Sequence, residues 1–240
     1  MTATVLDNPA WASLTGAHAR LAVRHGLAAR YPHDVAPFHA LADPADPVAW
    51  TDLAALAAPG AEVAVAGPVP ATHPGWELAG TVDGVQFVDE SLRAEPDAEA
   101  IRLGPADVPE ILDLIARTQP GPFLPRTIGL GTYLGIRRGG ALIAMAGERL
   151  HPPGWTEISA VCTDPAHRGR GLATRLVRAV AAGIRARGET PFLHTAARNT
   201  TAIRLYESIG FRLRQRTTFA QYRRGELQQS HAAFTDAAVQ

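Results

Sequence analysis

The segment from Glu157 to Phe211 restricts the fold most tightly. It reads as a strand, a loop Arg168-Gly169-Arg170-Gly171-Leu172-Ala173, a helix, a second strand, Asn199, and a second helix that carries Tyr206. In the first helix Leu172, Leu176, Val180 and Ile184 recur at helical spacing with Ala173 and Val177 beside them, and Gly188 can cap its end. Strand Phe192 to Thr195 follows. Helix Thr201 to Ile209 then places Ala202, Leu205, Tyr206 and Ile209 on one face and stops at Gly210, before a last strand from Phe211. This order is that of a mixed α/β protein. A glycine loop that opens a helix straight after a strand turns several backbone N–H groups outward at the positive end of the helix dipole, which is a seat for a phosphate. A phosphorylated cofactor is therefore expected.

The elements before this segment continue the layout. Strand Ile101 to Leu103, helix Asp107 to Arg117, strand Tyr133 to Arg137, a Gly139-Gly140 hairpin turn, strand Ala141 to Arg149 and strand Thr156 to Thr163 are predicted. Nearer the N-terminus the pattern is poorer. Ala10 to Ala29 is predicted to be helical, with Asn8 or Pro9 near its start, and Glu62 to Ala66 and Val82 to Val88 read as strands. The short polar run Arg93-Ala94-Glu95-Pro96-Asp97-Ala98-Glu99 looks like a boundary. The expected organisation is an N-terminal domain over 1–95, a catalytic domain over 99–225 and a C-terminal tail over 226–240.

Charge supports that division. Net charge is zero over the 240 residues, but residues 1–100 hold four Arg against thirteen Asp and Glu, and residues 101–240 hold nineteen Arg against ten. The halves thus carry about −9 and +9, and the basic one suits an anionic ligand. Every basic side chain is Arg, which rules out a catalytic lysine. The single cysteine, Cys162, cannot form an internal disulfide, and no Cys/His cluster has zinc spacing, so a metal-free protein of a reducing cytoplasm is expected. No basic segment followed by an apolar core opens the chain. The most apolar region, Leu53 to Ala71, is broken by Pro59, Glu62, Pro68 and Pro70, so neither an export signal nor a membrane span is expected.

The order of elements and the residues at each step resemble the GNAT acetyltransferase superfamily. Its cofactor motif, Q/R-x-x-G-x-G/A, is matched by Arg168-Gly169-Arg170-Gly171-Leu172-Ala173, and its later motif by Asn199 and Leu205-Tyr206-Glu207-Ser208-Ile209-Gly210-Phe211. The resemblance covers about 99–224. The opening Asn8-Pro9-Ala10-Trp11-Ala12-Ser13-Leu14-Thr15-Gly16 also resembles the start of a subgroup whose N-terminal half is a degenerate copy of the same fold. The resemblance implies the acyl-CoA N-acyltransferase fold beside a smaller N-terminal α/β domain. It further implies acetyl-coenzyme A as cosubstrate and direct transfer of the acetyl group to an amine of a small molecule, peptide or protein, in a ternary complex. A monomer or homodimer is expected.

The resemblance also implies a role for each matching residue. The amides from Gly169 to Ala173, with Arg168 or Arg170, would hold the pyrophosphate of coenzyme A. Backbone groups of Val161, Cys162 and Thr163 would bind the pantetheine arm like an added strand, and Asn199 would contact the cofactor or simply cap its helix. An alkyl amine with a pKa of about 10.4 benefits from a general base, for which Glu157 is the candidate. The competing reading is a surface carboxylate. On strand alternation Glu157 shares a face with Ser159 and Val161, opposite Ile158, Ala160 and Cys162. Tyr206 would protonate the departing thiolate, or else fill the core. Cys162 reads as a packing residue and not a nucleophile. His151, His167 and His194 are isolated in the sequence and read as surface or packing residues, with His167 near enough to the loop to touch the cofactor. The four Trp residues read as core, with Trp155 on the acceptor side.

Three other readings compete. A dinucleotide site would use Gly169, Gly171 and the position of Thr174, with Glu189 on a ribose, but Thr174 would crowd the helix and Glu189 follows Gly188 at a helix end. A non-catalytic acyl-coenzyme A sensor would keep the loop and lack turnover. Nucleic-acid binding is disfavoured because the Arg residues lack interleaved aromatics.

Overall fold

The protein is described by a computed structural model over residues 4–66 and 73–225. The proposed tail, 226–240, lies outside the described residues. Helices α1 (Pro9–Thr15), α2 (Pro47–Leu56), α3 (Val108–Thr118), α4 (Leu172–Ala186) and α5 (Thr200–Ile209) pack on one eleven-stranded sheet. Its strands are β1 (Val23–His25), β2 (Ala28–Arg30), β3 (Phe38–Leu41), β4 (Glu62–Ala66), β5 (Trp76–Asp89), β6 (Ile101–Leu103), β7 (Tyr133–Arg138), β8 (Ala141–Glu148), β9 (Trp155–Thr163), β10 (Thr190–Ala196) and β11 (Phe211–Arg224). Their order is β1-β2-β3-β4-β11-β5-β10-β9-β8-β7-β6, with β3/β4 and β9/β10 parallel and the other neighbours antiparallel. No helix among the described residues is long and apolar enough to cross a membrane.

The predicted helix from Ala10 to Ala29 forms only as far as Thr15. Asn8 accepts from the Trp11 amide and starts α1, but the chain leaves the helix at Gly16, makes a short 3-10 turn at Ala19–Leu21, and then forms the β1/β2 hairpin, which turns at Gly26 with φ +48°. Alanine content favoured a helix, and two glycines with sheet pairing to β3 overrode it. In the second half the predicted elements appear, within a residue or two of the expected ends. Leu172, Leu176, Val180 and Ile184 are all buried along α4, against Ile158 of β9 and Leu193 of β10, while α5 adds Tyr206 and Ile209 to the same cluster. The opposite face of the sheet carries α3, whose Ile111 and Leu114 meet Tyr133, Met145, Ala160 and Cys162. Trp50 and Trp76 are buried, whereas Trp11 and Trp155 are half-buried beside the cluster around Tyr31 and Phe192. Contacts also join the distant parts of the chain. The His18 ring lies 3.2 Å from the Leu130 carbonyl, and the His151 amide donates to Ser13 Oγ at 2.9 Å.

Candidate active site

Strands β9 and β10 part in the middle of the sheet. Their parallel register runs from Thr190↔Trp155 to Leu193↔Ile158 and ends there. Beyond it β9 stays with β8 and β10 stays with β5, so Ser159–Thr163 and His194–Ala196 flank an opening. Ala160 sits at φ +53°, at the register shift between Met145 and Gly147 of β8, so a β-bulge lies beside the opening. This bulge corrects the expected alternation. Ile158 and the half-buried Val161 pack on the α4 side, while Ala160 and Cys162 pack against α3; the extra residue exchanges the faces after Ser159.

The glycine loop lies at the end of β9. Asp164 Oδ1 accepts from the Ala166 amide, a 3-10 turn follows, and the exposed Arg168 bends back so that Nε donates to the Thr163 carbonyl at 3.3 Å. Gly169 and Gly171 stand at φ +75° and +71° with open space where a Cβ would be, so backbone conformation and not crowding selects glycine. The first helical bond is donated by the Arg175 amide to Gly171 O at 3.1 Å, which leaves the preceding amides of Leu172 and Ala173 at the free end of α4. Arg170 is exposed beside them.

Tyr206 is buried between Phe87 and Phe211, at ring distances of 6.3 and 6.0 Å, on the α4 side of the sheet. Burial pushes its hydroxyl up to about 12, so it is a protonated donor throughout the physiological range. Asn199 is exposed and its Oδ1 accepts from the Ala202 amide at 3.1 Å, the capping role. Burial likewise pushes the Cys162 thiol up to about 11, in keeping with a packing residue. Thr163 is half-buried at the mouth of the loop.

Glu157 is not a surface carboxylate. It is wholly buried on the side opposite α4, where Arg149 grips it with Nε to Oε2 at 2.8 Å and Nη2 to Oε1 at 2.6 Å. Burial opposes its ionisation, but the charge and hydrogen bonds of Arg149, and after them the hydrogen bond with His194, overcome that and hold the carboxyl below the usual carboxylate range. The strand-start position concealed this because Arg149 approaches from just past the end of β8, where its amide donates to Glu157 O at 3.0 Å.

His194 is the residue that sequence reasoning missed. Its Nδ1 lies 2.7 Å from Glu157 Oε1, and its Nε2 lies 3.0 Å from Nε2 of Gln86, the residue directly opposite it on β5. Gln86 continues the row, donating to Leu6 O at 2.9 Å and accepting from Arg214 at 2.8 Å. Arg214 occupies a bulge between Leu213 and Gln215 and also binds Asp7 and Thr4. A polar row thus crosses four strands on one face, and a narrow cleft lined by Phe38, Arg149, His194, Thr217 and Phe219 opens beside it. These partners are 37 and 108 residues from His194, so no local signal marked it.

The chain is similar to several known proteins. A family model described as FR47-like protein matches residues 133–220. Over 82 residues the chain is 40% identical to the N-alpha-acetyltransferase RimI of Mycobacterium tuberculosis, and over 119 residues 34% identical to a mycothiol acetyltransferase of Thermobispora bispora. These matches span 51% and 38% of the two relatives, and 33% and 44% of this chain. A crystal structure of a protein assigned to the GNAT acetyltransferases, from Novosphingobium aromaticivorans, superimposes with a TM-score of 0.84 and 41% identity, covering 93% of this chain and 99% of that one. The mixed α/β sheet and its flanking helices are those of the acyl-CoA N-acyltransferase fold, and with such identity sustained over nearly the whole length of that structure, the chain belongs to the GNAT family.

Proposed function

We propose that this protein is an N-acetyltransferase that uses acetyl-coenzyme A and acts on a primary amine of a small molecule, peptide or protein. The observation that carries the reading is the coincidence of two features at one edge: the opening of β9 from β10 after Ile158 and Leu193, and the glycine loop that turns the start of α4 toward it. The residues present fit the cosubstrate. Amides from Gly169 to Ala173 and the exposed Arg168 and Arg170 suit a diphosphate, and the β9 edge at Val161, Cys162 and Thr163 suits an extended amide-bearing arm. Bound acetyl-coenzyme A supplies the acetyl group as a thioester. The protein's own groups then hold and move protons. Tyr206, kept protonated by burial, donates to the leaving sulfur, and the buried Glu157 row serves the amine from the opposite face of the sheet.

The relatives named for N-alpha and mycothiol acetylation support an amine acceptor, and the acidic first hundred residues favour a cationic one. The test is thiol release from acetyl-coenzyme A with a panel of primary amines and N-terminal peptides. Saturable, amine-dependent release supports the reading, and tight binding without release across the panel identifies an acyl-coenzyme A sensor.

A further inference from the structure

We infer that Nε2 of His194 is the proton acceptor for the incoming amine, and that Glu157 is the residue that orients it. The inference rests on the acetyl-transfer reading and names the group that serves the amine.

Two independent constraints fix the imidazole. At one end, the Glu157 carboxylate only accepts, so Nδ1 carries the hydrogen that spans 2.7 Å to Oε1. At the other end stands Gln86. Arg214 only donates, so the Gln86 atom it meets at 2.8 Å is the carbonyl oxygen. The Gln86 amide nitrogen must then supply both remaining contacts, to the Leu6 carbonyl at 2.9 Å and to His194 Nε2 at 3.0 Å. Nε2 therefore presents a lone pair, and both ends select the same neutral tautomer.

Position completes the case. His194 is the first β10 residue beyond the last pair with β9, and it also lines the cleft with Phe38, Arg149, Thr217 and Phe219, so the cleft and the strand opening meet at its ring. Glu157 is less suited to this part, because both its oxygens are held by Arg149 and His194 and its side chain has no exposure, whereas Nε2 of His194 meets only the Gln86 amide and its residue lines the cleft. The Gln86 N–H holds the place that an amine N–H takes on arrival. In the reaction the amine nitrogen forms its bond to the acetyl carbon and the carbon–sulfur bond breaks. One amine proton passes to His194 Nε2 and on to solvent, and sulfur receives a proton from Tyr206, which solvent restores. The charged and titratable groups around the ring are Glu157 from β9, Arg149 beyond β8, Arg214 from β11 through Gln86, Asp7 behind Arg214, and the Tyr31 hydroxyl, which feels the Glu157 charge.

The experiment has two arms. Long-range proton–nitrogen spectra of the full chain labelled at histidine, without any ligand, should show His194 protonated at Nδ1 and bare at Nε2 at neutral pH; the opposite tautomer overturns the inference. For turnover, the amine of the panel that reacts fastest with wild type is used. His194→Gln should lower kcat roughly 100-fold or more and leave calorimetric binding of acetyl-coenzyme A within about twofold of wild type. Gln86→Glu, which keeps a partner for Arg214 and offers Nε2 an acceptor, should lower kcat at least tenfold. Full turnover by a folded His194→Gln overturns the proton-acceptor role and leaves the acetyl-transfer reading standing. Wild-type protein that binds acetyl-coenzyme A yet releases no thiol with any amine overturns the acetyl-transfer reading instead, and with it the role inferred for His194.

Discussion

Glu157 and Arg149 form a bidentate pair with the carboxylate wholly removed from water and the guanidinium stacked 5.0 Å from the Phe38 ring. Removing one member strands the other. Arg149→Met and Glu157→Gln should each destabilise the fold by about 3–5 kcal/mol, and the double substitution by much less than their sum. Urea unfolding of the three variants checks this coupling.

The same pair gives the stability a pH dependence of defined sign. Glu157 has its carboxyl held below its ordinary value of 4.5, so the unfolded chain binds the proton more readily than the folded one. The stabilisation is complete above about pH 4.5 and is lost as pH falls toward the folded value. Unfolding free energy measured from pH 7 down to 3 should therefore fall more steeply for wild type than for Glu157→Gln.

The glycine loop should answer to backbone conformation and not to volume. Gly171→Val places a β-branched residue at φ +71°, and Gly171→Asn places a residue that tolerates this region. Valine should cost at least the roughly 1–2 kcal/mol of an ordinary left-handed residue and should weaken acetyl-coenzyme A binding strongly, with asparagine intermediate. Calorimetric titration of both variants tests the order.

Tyr206→Phe removes a hydroxyl from a buried ring and little else. The variant should fold, bind acetyl-coenzyme A like wild type, and turn over roughly 100-fold more slowly. Equal kcat in a thiol-release assay would remove Tyr206 from the reaction.

Much of this was legible in the chain where the signal is local. The spacing of Leu172, Leu176, Val180 and Ile184 carried the core face of α4, and the glycines at 169 and 171 carried the turn before it, because both depend on neighbours within a few residues. Three features were not. Ala160 gives no sign that it takes a left-handed conformation, yet its bulge reverses the faces of β9. The stretch after Ala10 is rich in good helix formers, and only pairing with β3 makes strands of its later part. The row from Arg149 through Glu157, His194 and Gln86 to Arg214 joins segments that are mostly distant in sequence, so His194 looked isolated and nothing singled out Arg149, Gln86 or Arg214.

The claim on which the account depends is that the loop and the opened strands together hold acetyl-coenzyme A. Isothermal titration of the folded protein with acetyl-coenzyme A measures it directly. The account predicts saturable one-to-one binding that weakens with added salt and is lost on charge reversal of both Arg168 and Arg170. Absence of binding by intact protein, or affinity unchanged by that double reversal, would contradict it.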